Sequence, residues 1–156
     1  MKNGKITSIL IFLLLSSCGF KPMHQKNNNL IYFNKIVISG DKRIGYSLKN
    51  NISLISDENS KNNYNAEIKL TKQRKIRIKE ISGKVTRYNI NLSALLRLTN
   101  NKNRKEIQKT FNRNADYDVA TIHSDTINNE NNATKNLTQQ ISTEIINFIN
   151  LSMRHE

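Results

Sequence analysis

The only cysteine of the chain, Cys18, is the residue best placed to undergo a chemical reaction. It follows Leu15, Ser16 and Ser17, so one branched apolar residue and two small residues precede its thiol. Small side chains let a peptidase close on the backbone there, and the thiolate is the nucleophile that takes a diacylglyceryl group. The pattern is that of a bacterial lipobox and predicts cleavage before Cys18 and lipidation of its sulfur. An ordinary signal peptide with a coincidental cysteine, or a buried free thiol, is the alternative.

The residues before Cys18 are typical of a secretory signal peptide. Lys2 and Lys5 supply positive charge, and residues 6–15 supply a short, mostly apolar stretch. A bilayer-spanning helix needs about 20 apolar residues, so we predict a cleaved signal peptide over 1–17. Gly19 stands where an aspartate would signal retention at the inner membrane. We therefore expect a lipid-anchored protein at the periplasmic side of the outer membrane.

Other residue types used in catalysis or metal binding are scattered along the chain. His123, Ser124 and Asp125 are the residue types of a hydrolytic triad, but adjacent side chains diverge and a working triad is assembled in space. We interpret Ser124 as a helix cap instead. The few glycines form no phosphate-binding loop, and no histidine spacing suits a metal. The sequence predicts no enzymatic activity, no cofactor and no metal.

The positive charge is concentrated in one segment. The chain has 25 Lys and Arg against 12 Asp and Glu, and removing Lys2 and Lys5 with the signal peptide leaves 23 against 12. From Lys69 to Arg113 the only acidic residues are Glu80 and Glu106, whereas cations recur throughout. Clustered like charges imply an anionic partner. Nucleic acid would be expected in the cytoplasm, but an exported protein meets anionic lipid and lipopolysaccharide, so no nucleic acid is predicted. Each single cation is also compatible with a solvated strand face.

The mature chain divides into a tether and one domain. Residues 18–29 are polar, contain the only proline, Pro22, and are predicted to link the lipid to the fold. The domain is predicted over 30–153, a single-domain length. Residues 30–38 are rich in β-branched and aromatic types and predict a strand. Helical spacing of apolar residues then predicts a helix over 41–56 with Asp41 as its N-cap.

Alternation of apolar and polar residues predicts a three-stranded meander. On the first of these strands Tyr64, Ala66, Ile68, Leu70, Ile76 and Ile78 share one face. Ser82-Gly83 and residues 100–103 are turn signals, and the last strand is expected around Ile107 and Phe111. The cations that flank the first turn are our candidates for contact with an anionic ligand or a barrel protein: Lys75, Arg77, Lys79, Lys84 and Arg87.

The C-terminal region predicts a long helix. Apolar residues recur near helical spacing from about Ser124 to Met153, without glycine or proline. The element order is thus β-α-β-β-β-α. It indicates an α+β fold, a two-layer sandwich in which a four-stranded mixed sheet is covered on one face by two helices.

A family resemblance lies in the first seven residues after the predicted cleavage. They resemble the Cys-Gly-Phe-basic-Pro-apolar-aromatic start of the lipopolysaccharide-assembly lipoproteins of the LptE family, especially the short alphaproteobacterial kind. The rest is similar in order, with a helix opened by Asp41-Lys42-Arg43 and an Asp116-Tyr117 pair near the end of the last strand. Asn and Thr stand where the family's C-terminal helix usually has Ala. The seven residues are Cys18-Gly19-Phe20-Lys21-Pro22-Met23-His24, and the last stands where Tyr is common.

The resemblance implies a plug subunit inside a large outer-membrane β-barrel of the LptD type, which assists delivery of lipopolysaccharide to the outer leaflet. The basic strands would then contact either the barrel wall or the phosphates of lipid A, and the sequence does not distinguish between these two contacts. The alternative is a stand-alone periplasmic lipoprotein that binds anionic lipid or glycan through its basic sheet. Recovery with a barrel protein, or without one, distinguishes the two.

Overall fold

The computed structural model describes residues 31–154, so the predicted signal peptide (1–17) and tether (18–29) lie outside the described residues. The described region has the predicted order of elements, β-α-β-β-β-α. These elements are β1 (Tyr32–Ser39), α1 (Lys42–Ser53), β2 (Asn63–Lys79), β3 (Val85–Asn100), β4 (Glu106–Asp118) and α2 (His123–Arg154).

Helix α1 begins where its sequence predicts. The Asp41 carboxylate accepts hydrogen bonds from the backbone N–H groups of Arg43 and Ile44, both at 3.0 Å, which satisfies two donors of the first helical turn. Ile44, Leu48 and Ile52 are buried, as their spacing predicts. The helix ends at Ser53, three residues before the predicted end.

Gly40 makes the tight passage from β1 into α1. Its φ of +109° is a conformation that L side chains rarely adopt, and a Cβ there would lie 2.3 Å from the Leu70 carbonyl oxygen. A side chain is therefore excluded both by the backbone conformation and by the neighbouring strand.

The sheet is mixed, with strand order β1-β2-β3-β4. β1 pairs in parallel with β2, and the meander β2-β3-β4 is antiparallel. Gly83, at φ +89°, and Asn100 shape the two meander turns; the Asn100 side chain accepts a bond from the backbone of Lys102 at 2.8 Å. The four-stranded mixed sheet is thus as predicted.

The core lies between the sheet and the two helices. Alternate residues of β3 and of the first half of β2 point to the helices and are buried, whereas the other face of the sheet is open and mostly polar. The helices therefore cover one face only, which confirms the two-layer sandwich. The buried core residues at the centre include Ala66, Ile68, Ile90, Leu92, Leu96, Leu98, Leu137, Ile141 and Ile145.

Two local expectations were wrong. The alternation of β2 does not hold to its end, because the register shifts between Ile76 and Ile78. Ile78 pairs with Arg87, an open-face residue, and directly paired residues share a face. Ser124 lies inside the first turn of α2 and not before it, because the helix already begins at His123.

Candidate functional site

The five predicted cations lie together at the distal end of the β2–β3 hairpin. The sheet narrows in that direction, because β1 pairs with β2 only as far as Lys69 and β4 pairs with β3 only from Arg87 onward. Within the described residues, the last part of the hairpin, around Lys79 and Val85, therefore has no further strand on either side. The structure brings Lys75, Arg77, Lys79, Lys84 and Arg87 to this end, which we call the basic tip.

Backbone hydrogen bonds define the turn of the basic tip. The Glu80 N–H donates to the Lys84 carbonyl at 2.8 Å, and the Gly83 N–H donates to the Glu80 carbonyl at 2.9 Å. The register shift at Arg77 adds one residue to β2, and such bulges re-aim side chains. The Arg77 side chain is directed to the open face, where it meets β4.

Carboxylates of β4 pair with the two arginines of the basic tip. Arg77 lies 3.6 Å from Asp116 and Arg87 lies 2.6 Å from Asp118. The hydrogen bond from Arg87 to Asp118 raises the pKa of the Arg87 guanidinium. Among residues 31–154, Lys75, Lys79 and Lys84 form no ion pair, so their ammonium groups can still pair with an external partner.

Apolar side chains are exposed at the same end. Ile76 and Ile78 are 57% and 46% exposed, and Ile81, in the turn, is exposed completely. Residues of this type at the other end of the same strand, such as Ile68, are buried. The basic tip therefore presents both ammonium groups and branched apolar side chains to its surroundings.

A second set of cations lies under α2, and sequence reasoning overlooked it. The Glu130 carboxylate accepts a hydrogen bond from Lys72 Nζ at 2.8 Å and one from the Tyr117 hydroxyl at 3.0 Å, and Arg74 lies 3.3 Å away. The Lys72 and Glu130 side chains are only 25% and 24% exposed. The hydrogen bond from Lys72 lowers the pKa of the Glu130 carboxyl, and burial raises the pKa of the Tyr117 phenol.

The other cations of the covered face have partners on α2 as well. Arg113 forms an ion pair with Glu144, and the Lys109 ammonium lies 4.6 Å from the centre of the Phe148 ring. A signal for this arrangement was present in the sequence: Lys72 and Arg74 share the parity of the buried residues of β2. Cations at such positions need partners on the covering helix, which has only three acidic residues.

The remaining predictions on chemistry concern Cys18 and metal binding. Cys18 lies outside the described residues, so its lipidation stays a prediction. Among residues 31–154, no three His, Cys, Asp or Glu side chains are grouped closely enough to hold a metal ion. Neither described helix has an apolar stretch long enough to cross a membrane.

Known proteins resemble this chain in fold but not in sequence. No family model matches the chain, and no curated protein matches it significantly. Among solved structures, the rare lipoprotein B from Shewanella oneidensis is similar at a TM-score of 0.61 and 11% identity, over 78% of this chain and 98% of that one. A protein from Caulobacter crescentus described as a candidate lipoprotein is similar at 0.53 and 16% identity, over 78% and 92%. The described domain therefore shares its fold with bacterial lipoproteins.

Proposed function

We propose that the protein is an outer-membrane lipoprotein that acts as a plug and assembly subunit of a β-barrel lipopolysaccharide translocon. It would be held at the periplasmic face by the lipid on Cys18 and would assist insertion of lipopolysaccharide into the outer leaflet. The role is structural and needs no catalysis. Three features support the proposal: the lipobox, the fold shared with rare lipoprotein B, and the basic tip.

The basic tip carries the proposal furthest. Its lysines have no ion pair among the described residues, and ammonium groups of this kind form charge-assisted hydrogen bonds with phosphate and carboxylate oxygens. Ile76, Ile78 and Ile81 add exposed apolar surface beside these charges. A surface that combines ammonium groups and isoleucines is suited to a partner that is both anionic and apolar, as lipopolysaccharide is.

The narrow shape of the hairpin end also supports a plug. A two-stranded end can enter a lumen or reach a lipid where a full sheet with its helices would be too wide. The open face directly behind the tip carries mostly polar side chains, among them Asn89, Asn91 and Ser93 of β3, so this part can lie against a hydrated barrel wall.

The first experiment is a mild-detergent pull-down of the tagged full-length protein from its own membranes, with mass spectrometry of its companions and of the Cys18 peptide. We expect a large outer-membrane barrel protein in near-equal amount, together with acylated Cys18. Acylated protein recovered alone would overturn the plug proposal and favour a stand-alone lipoprotein that binds anionic lipid or glycan.

A second experiment tests the basic tip itself. The variant K75E/K79E/K84E reverses three lysines there, and K49E/K61E/K102E reverses three exposed lysines elsewhere in the domain with the same change in net charge. We expect the first variant to lose barrel protein or lipopolysaccharide in the pull-down and the second to retain both. Equal retention by the two variants would remove the basic tip from the proposal.

A further inference from the structure

A groove lies between α1 and α2, on the face of the sheet that the two helices cover. Its volume is about 820 Å³, and residues of three elements line it: the first turns of α1, the middle of α2 and Lys72 of β2. Arg43 of α1 reaches Asn131 of α2, with 3.4 Å between guanidinium nitrogen and amide oxygen. Deeper along the same pair of helices the space is filled by Leu48, Ile52 and other core residues.

Four cations converge on this groove. Lys42 and Arg43 come from α1, Lys135 comes from α2, and Lys72 comes from the sheet. No ion pair to Lys42, Arg43 or Lys135 is recorded within the described part of the chain. Side chains from three separate elements thus place positive charge around one concavity, which a single solvated helix face would not do.

The nearby carboxylates do not neutralise these cations. Asp41, whose Oδ1 accepts two backbone N–H bonds at the start of α1, brings one negative charge against the four cations of the groove. Glu130 is shared by Lys72 and Arg74, so one negative charge faces two positive ones. The groove therefore keeps an excess of positive charge, and converging like charges raise the local potential unless an anion matches them.

We propose that this groove is a binding site for a phosphoryl group. A phosphate monoester carries about −1.5 to −2 charges at pH 7 and three acceptor oxygens. Those oxygens match a set of donors that consists of three ammonium groups, one guanidinium and the Asn131 amide. The site is separate from the basic tip and does not depend on a barrel partner, so either proposal can fail without the other.

The test is calorimetric titration of the full-length protein in nonionic detergent. The probes are inorganic phosphate, dioctanoyl phosphatidic acid, and dioctanoylglycerol, which has the same chains without phosphate. We expect saturable binding of one or both phosphate probes and no binding of dioctanoylglycerol in this groove. Binding of phosphatidic acid alone would identify a lipid headgroup as the source, and binding of inorganic phosphate would identify a free or soluble phosphate.

Matched variants locate the site. K42Q/R43Q/K135Q removes three rim cations that form no ion pair within residues 31–154, and K75Q/K79Q/K84Q removes three at the basic tip. We expect the groove variant to weaken phosphate binding about tenfold or more, and the tip variant to change it less than about twofold. Equal loss in both variants, or no saturable binding of either phosphate probe by the unmodified protein, would overturn the proposal.

Discussion

Both faces of the sheet carry lysines and arginines, but these cations are paired differently on the two faces. On the face covered by α2, each strand cation has a partner on that helix: Lys72 and Arg74 share Glu130, and Arg113 pairs with Glu144. On the open face, the arginines pair with strand carboxylates, whereas lysines such as Lys75 have no recorded ion pair among the described residues. A cation that loses water to a covering helix needs a partner, because desolvation penalises the charged form. A cation in water does not, so it stays available.

The largest effect is expected from the loss of a buried side chain, which should cost much more stability on the covered face than on the open face. Leu96 is completely buried on the covered face, and its neighbour Leu95 lies on the open face. We expect L96A to lower the free energy of unfolding by about 3 kcal/mol, because it leaves a cavity in the core. L95A should cost less than about 1 kcal/mol. Urea unfolding followed by circular dichroism measures both, and equal losses would contradict the assignment of the faces.

The next effect concerns the carboxylate under α2. E130Q leaves Lys72 and Arg74 next to each other without a counter-charge at a partly buried place, and we expect a loss of about 2 kcal/mol. E144Q is the control, because its partner Arg113 is 48% exposed, whereas Lys72 beside Glu130 is 25% exposed; it should cost about 0.5 kcal/mol. The same unfolding measurement applies. A loss in E130Q no larger than that in E144Q would mean that the covered cations need no partner.

The pH dependence of stability sharpens the same point. The pKa of Glu130 is lowered in the folded protein, chiefly by the hydrogen bond from Lys72, below the ordinary value of 4.5. Its stabilisation is therefore fully present above about pH 4.5 and is lost as the pH falls through the folded pKa. We expect the stability difference between the unmodified protein and E130Q to shrink over that interval. Unfolding curves between pH 7 and pH 3 test this, and a constant difference would refute it.

The smallest effect is expected on the open face. Arg97 lies 2.9 Å from Glu106 and 3.6 Å from Glu67, but all three side chains are well exposed. We expect R97Q to change the free energy of unfolding by less than about 0.5 kcal/mol, because solvent and salt screen such pairs. Thermal unfolding at low and high salt is the measurement. A loss as large as that of E130Q would erase the difference between the two faces.

Local patterns were sufficient for most of the fold. The helix cap at Asp41, the alternation from Tyr64 to Leu70 and the turn at Gly83 each depend on residues close in sequence, and each was confirmed. The position of the basic tip also followed from alternation and a turn. The prediction from alternation was wrong at Ile78, because a bulge adds one residue to β2 there and the local sequence does not indicate it.

The candidate sites were predicted less completely than the fold. That Lys75 and Lys84 lie at one hairpin end could be predicted, because a hairpin joins residues close in sequence. That Asp116 and Asp118 meet the arginines of this tip could not, because strand register decides it. The groove was not predicted at all, since Lys42 and Lys135 are brought together only when both helices pack on the sheet.

The sequence by itself determined the secondary structure, the order of the elements and the segment in which positive charge accumulates. It also determined the buried face of β2 as far as Leu70. These properties depend on backbone propensity and on side-chain periodicity, which act over a few residues. Only the tertiary structure decided which cations are neutralised and which remain available. Lys72 and Glu130 are 58 residues apart in the chain, and whether such a pair forms depends on the register and packing of distant elements.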